Sequence, residues 1–150
     1  MKKLIALLLL VPLVGAEPAG YRYWSAAHLM SFTQSLAHQG DGKTSLASLG
    51  NFGADRAVMV HRDASGVAEL HERDADLMVV VSGAATLVVG GEMPGAKTTA
   101  PGEMRAPAIR SGASQKIGPG DILHIPPRTP HQLLLEQGAQ LTYFTLKIKE

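Results

Sequence analysis

The sequence predicts an all-β domain preceded by one helix. From residue 55 onward, short runs rich in apolar and β-branched residues follow one another, and Gly and Pro separate them. Because no segment with helical periodicity lies between these runs, a sandwich or a small antiparallel barrel is favoured over an α/β sheet. With 150 residues, the chain is long enough for one domain with a real core and too short for two.

The first sixteen residues have the organisation of a secretory signal. Lys2 and Lys3 precede an apolar run over residues 4–14, and the Val-Gly-Ala sequence at 14–16 supplies the small residues that a signal peptidase prefers. We therefore expect cleavage after Ala16 and a periplasmic or secreted mature protein. The apolar run is short for a membrane span, so we expect no membrane association after cleavage.

The charge and the cysteine content narrow the partners. Removing residues 1–16 takes away two lysines and no acid, which leaves 12 Lys and Arg against 13 Asp and Glu, a formal charge of −1. Such a balance does not suit a nucleic-acid backbone, so we expect no nucleic-acid partner. The chain has no cysteine, so any metal ligands must be His, Asp or Glu, and stability must come from burial, a metal or a partner subunit.

One amphipathic helix is predicted between Ser25 and Gln39. Its apolar residues recur at three- and four-residue spacing, namely Leu29, Phe32 and Leu36. Ser25 suits the N-cap position, and Gly40 and Gly42 are expected to end the helix. We assign residues 17–54 to an N-terminal extension that contains this helix.

The strands follow this extension. Seven runs have β character: residues 56–61, 67–72, 77–81, 84–89, 122–125, 132–135 and 141–148. The run 77–81 is wholly apolar, as in a strand that is buried on both faces.

A long connection separates the fourth run from the fifth. Residues 90–118 are rich in Gly, Pro, Ala and Thr and carry four cations, Lys97, Arg105, Arg110 and Lys116. We interpret this stretch as a solvated surface connection with one edge strand. The alternative is a lid whose cations meet an anionic substrate, since long connections within a small domain are often functional.

Two histidines and two carboxylates form the candidate site. Glu69 and His71 share one face of a predicted strand, because side chains alternate along a strand. Asp76 begins the next strand and can reach a cavity from its rim, and His131 follows a Pro-rich segment that fixes its backbone. Each residue alone would be taken as structural, but together these residue types can hold a divalent metal ion.

These residues resemble the first motif of the cupin superfamily, which is His-x-His, three or four residues, Glu, six residues and Gly. His71 occupies the second His position, Asp76 the Glu position and Gly83 the Gly position. Glu69 stands where the first His should be.

The second cupin motif, Gly-x5-Pro-x-Gly-x2-His, is similar to the sequence from Gly120 through Pro126 to His131, with Arg128 in place of the second Gly. The resemblance covers residues 55–148. It implies that residues 55–150 form a cupin barrel, a jelly-roll double-stranded β-helix with a ligand cavity.

The departures from the motifs bear on the metal and on catalysis. With Glu69 in place of a His, the implied ligand set is Glu69, His71, Asp76 and His131, which suits Zn, Mn or Fe(II). Asp76 is shorter than Glu, so it is either a fourth ligand or a group that hydrogen-bonds the ligands. Glu69 and Asp76 are the candidates for proton transfer.

Two further histidines have less defined roles. His124 is either a core residue or a hydrogen-bonding partner of a ligand, and His61 is expected at the surface.

Three classes of function stay open, because the resemblance implies a fold rather than a reaction. The first is a metal-dependent enzyme, dioxygenase-like or isomerase-like, that acts on a small polar organic molecule. The second is a non-catalytic protein of the cell envelope that binds a small ligand or a metal, and the third is a structural protein. Tyr21, Tyr23 and Trp24 are expected to cover a barrel end or a subunit interface, and we expect a homodimer.

Overall fold

Eleven strands and one helix make up the described part of the chain, residues 17–39 and 44–150 of a computed structural model. The elements are α1 (Ala26–Gln39), β1 (Thr44–Phe52), β2 (Asp55–Arg62), β3 (Ala68–His71), β4 (Asp74–Gly83), β5 (Ala85–Val89), β6 (Lys97–Ala100), β7 (Glu103–Ala106), β8 (Ala113–Ile117), β9 (Ile122–Ile125), β10 (His131–Leu134) and β11 (Leu141–Lys149). The predicted all-β fold with a short N-terminal helix is confirmed.

Two antiparallel sheets build the barrel. The first has the strand order β1-β2-β11-β4-β9, and the second has the order β6-β7-β3-β10-β5-β8. Apolar side chains from both sheets pack together as one core, which includes Val60, Met78, Leu87, Leu133 and Tyr143. Strands that neighbour each other in a sheet are far apart in sequence, as expected for a jelly roll.

The helix packs against β1 and β2. The Ser25 hydroxyl oxygen accepts a hydrogen bond from the backbone N–H of His28 at 3.2 Å, which confirms Ser25 as the N-cap. Leu36 is buried and Leu29 and Phe32 are half-buried, so the predicted apolar stripe faces the sheet. The predicted helix stop at residues 40–42 and the predicted signal at residues 1–16 lie outside the described residues.

Four strands have no counterpart in the predicted runs. β1 lies within the predicted N-terminal extension and pairs with β2. The interpretation of residues 90–118 as a surface connection with one edge strand was wrong, because β6, β7 and β8 lie there. β7 pairs with β3, and β8 pairs with β5. The strands β6, β7 and β8 have only four or five residues each, and β6 and β8 are largely polar, so the local pattern does not mark them as strands.

The three turn positions at which the cupin motifs have Gly all have a positive φ angle. Two of them are Gly in this chain, and the third is Arg128. Gly83 and Gly120 have φ angles of 80° and 90°, and an added Cβ at Gly83 would meet the carbonyl oxygen of Gln140. Arg128, which stands where the cupin motif has Gly, has a φ of 61°. Its backbone N–H donates to the carbonyl oxygen of His71 at 2.7 Å, so this turn is tied to the strand that carries His71.

Within residues 17–39 and 44–150, no helix has the length and apolar character that crossing a bilayer requires.

Candidate functional site

A cavity of about 830 Å³ lies between the two sheets. Its wall includes residues of β1, β2, β4 and β11 from the first sheet and of β3, β7 and β10 from the second. Core residues Val60, Met78, Leu133 and Tyr143 also line it, so one part of the wall is apolar. The charged side chains come from β2, β3, β4, β7 and β11.

Three of the four predicted ligands come together on the second sheet. Glu69 and His71 lie two residues apart on β3, and His131 on β10 is the register partner of Glu69. One potential ligand atom from each of these three residues lies within 4.8 Å of those of the other two. The two imidazole rings lie with their centroids 5.1 Å apart.

The fourth residue, Asp76, reaches the same place from the first sheet. Its Oδ2 lies 3.3 Å from Nε2 of His71 and 3.4 Å from Nε2 of His131, and its side chain is 0% exposed. Because β4 begins at Asp74, Asp76 is inside the strand and buried, and the expectation that it reaches in from the rim was wrong.

Hydrogen bonds at the Nδ1 atoms orient both imidazoles. Nδ1 of His71 lies 2.7 Å from a carboxylate oxygen of Glu103, and Nδ1 of His131 lies 3.0 Å from the carbonyl oxygen of Thr129. Both partners accept, which assigns the proton of each neutral ring to Nδ1 and leaves the Nε2 lone pairs directed toward Asp76. Burial lowers the pKa of His131, so this ring is held neutral, as a metal ligand must be.

Lys147 on β11 supplies a cation to this cluster. Its Nζ lies 2.6 Å and 2.9 Å from the two carboxylate oxygens of Asp76, and it lies 2.7 Å from Nε2 of His71. The register pairs Lys147 with Asp76 across β11 and β4, which brings the two side chains to the same face.

Asp76 is ionised in this setting. Burial by itself raises the pKa of its carboxyl group, but the close contact with the His71 ring and the charge of Lys147 outweigh burial and lower this pKa to about 2. A carboxylate with so low a pKa is a weak base at neutral pH. Asp76 is therefore suited to hold a cation rather than to abstract a proton.

Two guanidinium groups hold Glu69. Arg62 on β2 lies 3.1 Å from one carboxylate oxygen, and Arg105 on β7 lies 3.2 Å from the other. Arg105 also lies 2.9 Å from Glu103, and Arg62 donates to the Tyr143 hydroxyl at 3.2 Å. Contacts with Tyr143 and Glu69 raise the pKa of Arg62 against the opposing effect of burial.

The donor set fits a divalent cation. The carboxylate of Glu69 converges with the two imidazoles, the Asp76 carboxylate lies beside the same two Nε2 atoms, and nitrogen and carboxylate ligands of this kind suit Zn, Mn or Fe(II). The formal charges of the cluster cancel when both histidines are neutral, because three acids face three cations. These residues are Glu69, Asp76, Glu103, Arg62, Arg105 and Lys147.

Sequence reasoning missed Arg62, Glu103 and Lys147. A signal for Lys147 was present, because strand alternation places it on the same face as Tyr143 and Thr145, which are buried. No comparable signal marked Glu103, because β7 itself was not recognised.

The exposure of His124 and of His61 differs from what the sequence predicted. His124 is exposed on β9 and does not line the cavity, so neither predicted role applies. His61 is buried rather than at the surface, with its ring nitrogens 2.8 Å from Oγ1 of Thr142 and 3.1 Å from Asp63.

Of the four cations predicted to lie on the connection of residues 90–118, one lines the cavity and three do not. Arg105 lines the cavity, whereas Lys97, Arg110 and Lys116 do not.

Sequence comparisons yield no relative: no protein-family model matches the chain, and no curated protein is significantly similar to it. Solved structures do match. A conserved protein with a double-stranded β-helix domain from Klebsiella pneumoniae has a TM-score of 0.57 at 14% identity, covering 86% of this chain and 90% of that one. A cupin 2 conserved barrel domain protein from Rhodopseudomonas palustris has a TM-score of 0.52 at 16% identity, covering 75% and 67%.

An enzyme is also among the similar structures. The DMSP lyase DddQ from Ruegeria pomeroyi has a TM-score of 0.52 at 15% identity, covering 72% of this chain and 48% of that one. At these identities the likeness concerns the fold alone. The chain has the double-stranded β-helix fold of the cupin superfamily, as the two motifs predict.

Proposed function

We propose that the protein is an exported metal-dependent enzyme that acts on a small polar organic molecule inside its barrel. The observation that carries this proposal is the convergence of His71, His131 and Glu69 in a cavity of about 830 Å³. A cavity of this size suits a small ligand, and it combines an apolar wall with a few converging polar groups. A lyase with the same fold supports an enzymatic use of such a barrel.

In this proposal His71 and His131 hold the metal through Nε2, and Glu69 supplies a carboxylate oxygen. The metal, when bound, would polarise an oxygen atom of the substrate. Glu103 and the carbonyl of Thr129 keep the two rings in the tautomer that binding requires. Asp76 is a fourth ligand or holds the rings by its charge, and its low pKa leaves Glu69 as the carboxylate for proton transfer.

We further propose that the substrate is an organic acid or a hydroxylated molecule. Five Arg and Lys residues line the cavity against four Asp and Glu residues, so an anion gains from entering it. The cations are Arg56, Arg62, Arg105, Lys147 and Lys149. The low-dielectric walls of the cavity strengthen such contacts relative to the surface.

Metal content tests the site. Mature protein is purified as wild type, His131→Ala and His124→Ala, and its bound Zn, Mn and Fe are measured. We expect about one equivalent of metal in the wild type and in His124→Ala, whose histidine is exposed and outside the cavity. His131→Ala should lose most of it, because a metal ligand is gone. Equal metal in all three proteins would refute the site.

Ligand binding and turnover test the enzymatic role. A thermal shift screen of organic acids, sugars and phenols against metal-loaded protein should give the largest rise in Tm for organic acids, because a ligand that binds only the folded state stabilises it. The best ligand is then incubated with the protein and followed by mass spectrometry. Its conversion supports an enzyme.

A non-catalytic small-ligand or metal-binding protein of the cell envelope is the second candidate. It is favoured by the pairing of both carboxylates, since Glu69 lies between two guanidinium groups and Asp76 is paired with Lys147. A ligand that raises Tm and is recovered unchanged would support this alternative over the enzyme.

We also propose a homodimer. β1 is an edge strand of the first sheet, and it carries Leu46, which is 65% exposed. Trp24 packs edge-on against Phe52 of the same strand, and Tyr21 and Tyr23 are exposed beside it in sequence. An apolar edge strand favours pairing with a second copy. Light scattering should give twice the mass of the mature chain, and a monomer mass would exclude the dimer.

A further inference from the structure

We propose that the Lys147 ammonium and the metal ion compete for the same donor atoms, so that the site holds one of the two cations at a time. This inference rests on the proposed metal site and adds an element to it. In the absence of metal, Lys147 serves as an internal cation of the site. On metal binding, the ammonium leaves the ligands and turns into the cavity.

The first argument is the geometry at His71. Nζ of Lys147 lies 2.7 Å from Nε2 of His71, whose Nδ1 is committed to Glu103 at 2.7 Å. A neutral imidazole offers a single nitrogen lone pair, and here it accepts from the ammonium. The same lone pair cannot bind a metal until Lys147 has moved. The predicted ligand His71 is therefore blocked by a residue of the chain itself.

The second argument concerns Asp76. Lys147 contacts both of its carboxylate oxygens, at 2.6 Å and 2.9 Å, and the Asp76 side chain is 0% exposed. Asp76 also lies 3.3 Å and 3.4 Å from the two Nε2 atoms. A cation that serves His71, His131 and Asp76 together must occupy the region that the ammonium now fills. Two cations in that region would repel each other strongly in a buried setting.

The third argument is that Lys147 is able to leave. Its side chain is 17% exposed and lines the cavity, so its path leads into open space rather than through the core. The stem of lysine has four rotatable bonds, and its ammonium can be hydrated in the cavity. Lys147 thus supplies the neutralising cation of the metal-free cluster, whereas many small metal sites depend on the metal for folding.

A matched control lies two residues further along the same strands. Lys149 pairs with Asp74 in the β11–β4 register, and its Nζ lies 2.8 Å from the Asp74 carboxylate. This pair also lines the cavity, but its lysine is 48% exposed and its ammonium contacts Asp74 rather than the histidines. Removing the Lys149 charge changes the cavity potential without freeing the lone pair of His71.

The experiment is calorimetric titration of metal-free wild type, Lys147→Met and Lys149→Met with ZnCl₂ and with MnCl₂. We expect Lys147→Met to bind at least one of these ions about tenfold more tightly than wild type or better, because no ammonium has to be displaced. Lys149→Met should stay within about threefold of wild type, as for a surface charge. Equal or weaker binding by Lys147→Met would overturn the inference.

Lys147→Gln covers the case in which Lys147→Met does not fold. Glutamine still donates a hydrogen bond to Asp76 but carries no charge. It should also bind metal more tightly than wild type, and failure to do so would overturn the inference as well. A second readout is Tm: metal should raise the Tm of Lys147→Met or Lys147→Gln more than that of wild type, because the metal replaces a missing cation.

The outcomes separate this inference from the proposed function. If wild type and both Lys147 variants bind metal equally, the metal site stands and the competition is refuted. If wild type binds no metal while a Lys147 variant does, the competition stands and the natural protein is not a metal enzyme. If no variant binds metal, both proposals are refuted.

Discussion

Glu69 and His131 are direct partners across the antiparallel strands β3 and β10. This pairing brings the two sequence motifs together at one point, because Glu69 opens the first motif and His131 closes the second. Paired residues in an antiparallel sheet project from the same face at close range. The register of β3 and β10 thus determines which atoms can share a ligand in this barrel.

The two acid–lysine pairs between β4 and β11 should differ greatly in their contribution to stability. Asp76 is fully buried and pairs with Lys147, which is 17% exposed, whereas Asp74 pairs with Lys149, which is 48% exposed. We expect Asp76→Asn to lower the free energy of unfolding by roughly 3 kcal/mol, because it leaves a partly buried ammonium without its counterion. Asp74→Asn should cost less than about 1 kcal/mol. Urea unfolding of the two variants measures the difference, and similar costs would contradict the assignment.

Acid should destabilise the metal-free protein in two steps. The pKa of His131 is lowered in the folded state, so the folded protein resists its protonation and stability falls as pH drops below about 6.5. The pKa of Asp76 is lowered from 3.8 to about 2, so its contribution is complete above about pH 4 and is lost as pH falls through 2. This second step amounts to about 2 kcal/mol.

Urea unfolding between pH 8 and pH 2.5 in the presence of a chelator follows both steps. Asp76→Asn should retain the step near pH 6 and lose most of the step below pH 4. A wild-type stability that stays level between pH 7 and pH 3 would disprove the predicted coupling.

The two motif glycines should respond unequally to alanine. At Gly83 both the φ of 80° and the neighbouring carbonyl of Gln140 oppose a side chain, so Gly83→Ala should cost about 3 kcal/mol or more. At Gly120 the added Cβ meets no atom within 4 Å, so Gly120→Ala should cost only the left-handed backbone, about 1 kcal/mol. Thermal unfolding ranks the two variants, and the reverse order would count against the turn at Gly83.

Arg128→Gly should stabilise the protein. Arg128 adopts a φ of 61°, which costs a residue with a side chain about 1–2 kcal/mol. The larger freedom of Gly in the unfolded chain offsets part of this, so we expect a net gain of about 0.5–1 kcal/mol. The substitution keeps the backbone N–H that donates to His71. A loss of stability in chemical denaturation would indicate that the arginine side chain contributes more than its backbone costs.

We predict that the protein is exported with cleavage after Ala16, so that the mature N-terminus is Glu17. The order of charged, apolar and small residues in 1–16 predicts cleavage after Ala16. Protein recovered from the periplasm should have the intact mass of residues 17–150. Ala16→Trp should abolish that product, because a large side chain does not fit the peptidase, whereas a mature species that retains Met1 would disprove the export signal.

Much of the fold was predictable from local patterns. Each of the seven predicted runs overlaps an observed strand, because apolar alternation and Gly or Pro turns report burial and chain reversal directly. The helix and its N-cap at Ser25 were predictable for the same reason. The pairing of two motifs likewise predicted that Glu69, His71, Asp76 and His131 would lie together, and the structure places Glu69 and Asp76 each near both imidazoles.

The charges around these residues were not predictable in the same way. Lys147, Arg62 and Glu103 come from three strands whose register with β3 and β4 depends on tertiary packing. A lysine near the end of a strand is usually solvated, and its pairing with Asp76 follows from the long-range register alone. β7 was not recognised because it has only four residues, which is too short a run for its alternation to stand out, so the position of Glu103 beside His71 could not be derived from sequence.

Glu103 and Arg105 lie on the hairpin of β6 and β7 at the outer edge of the second sheet, whereas His71 and His131 lie on its inner strands. The two histidines that can bind a metal therefore lie on inner strands of the sheet. Glu103 and Arg105, which contact His71 and Glu69, lie on an edge hairpin. Such an edge hairpin can be lengthened, recharged or exchanged in descendants of this gene without disturbing the apolar core. Selection for a new substrate would thus have a place to act that is separate from selection for a folded protein.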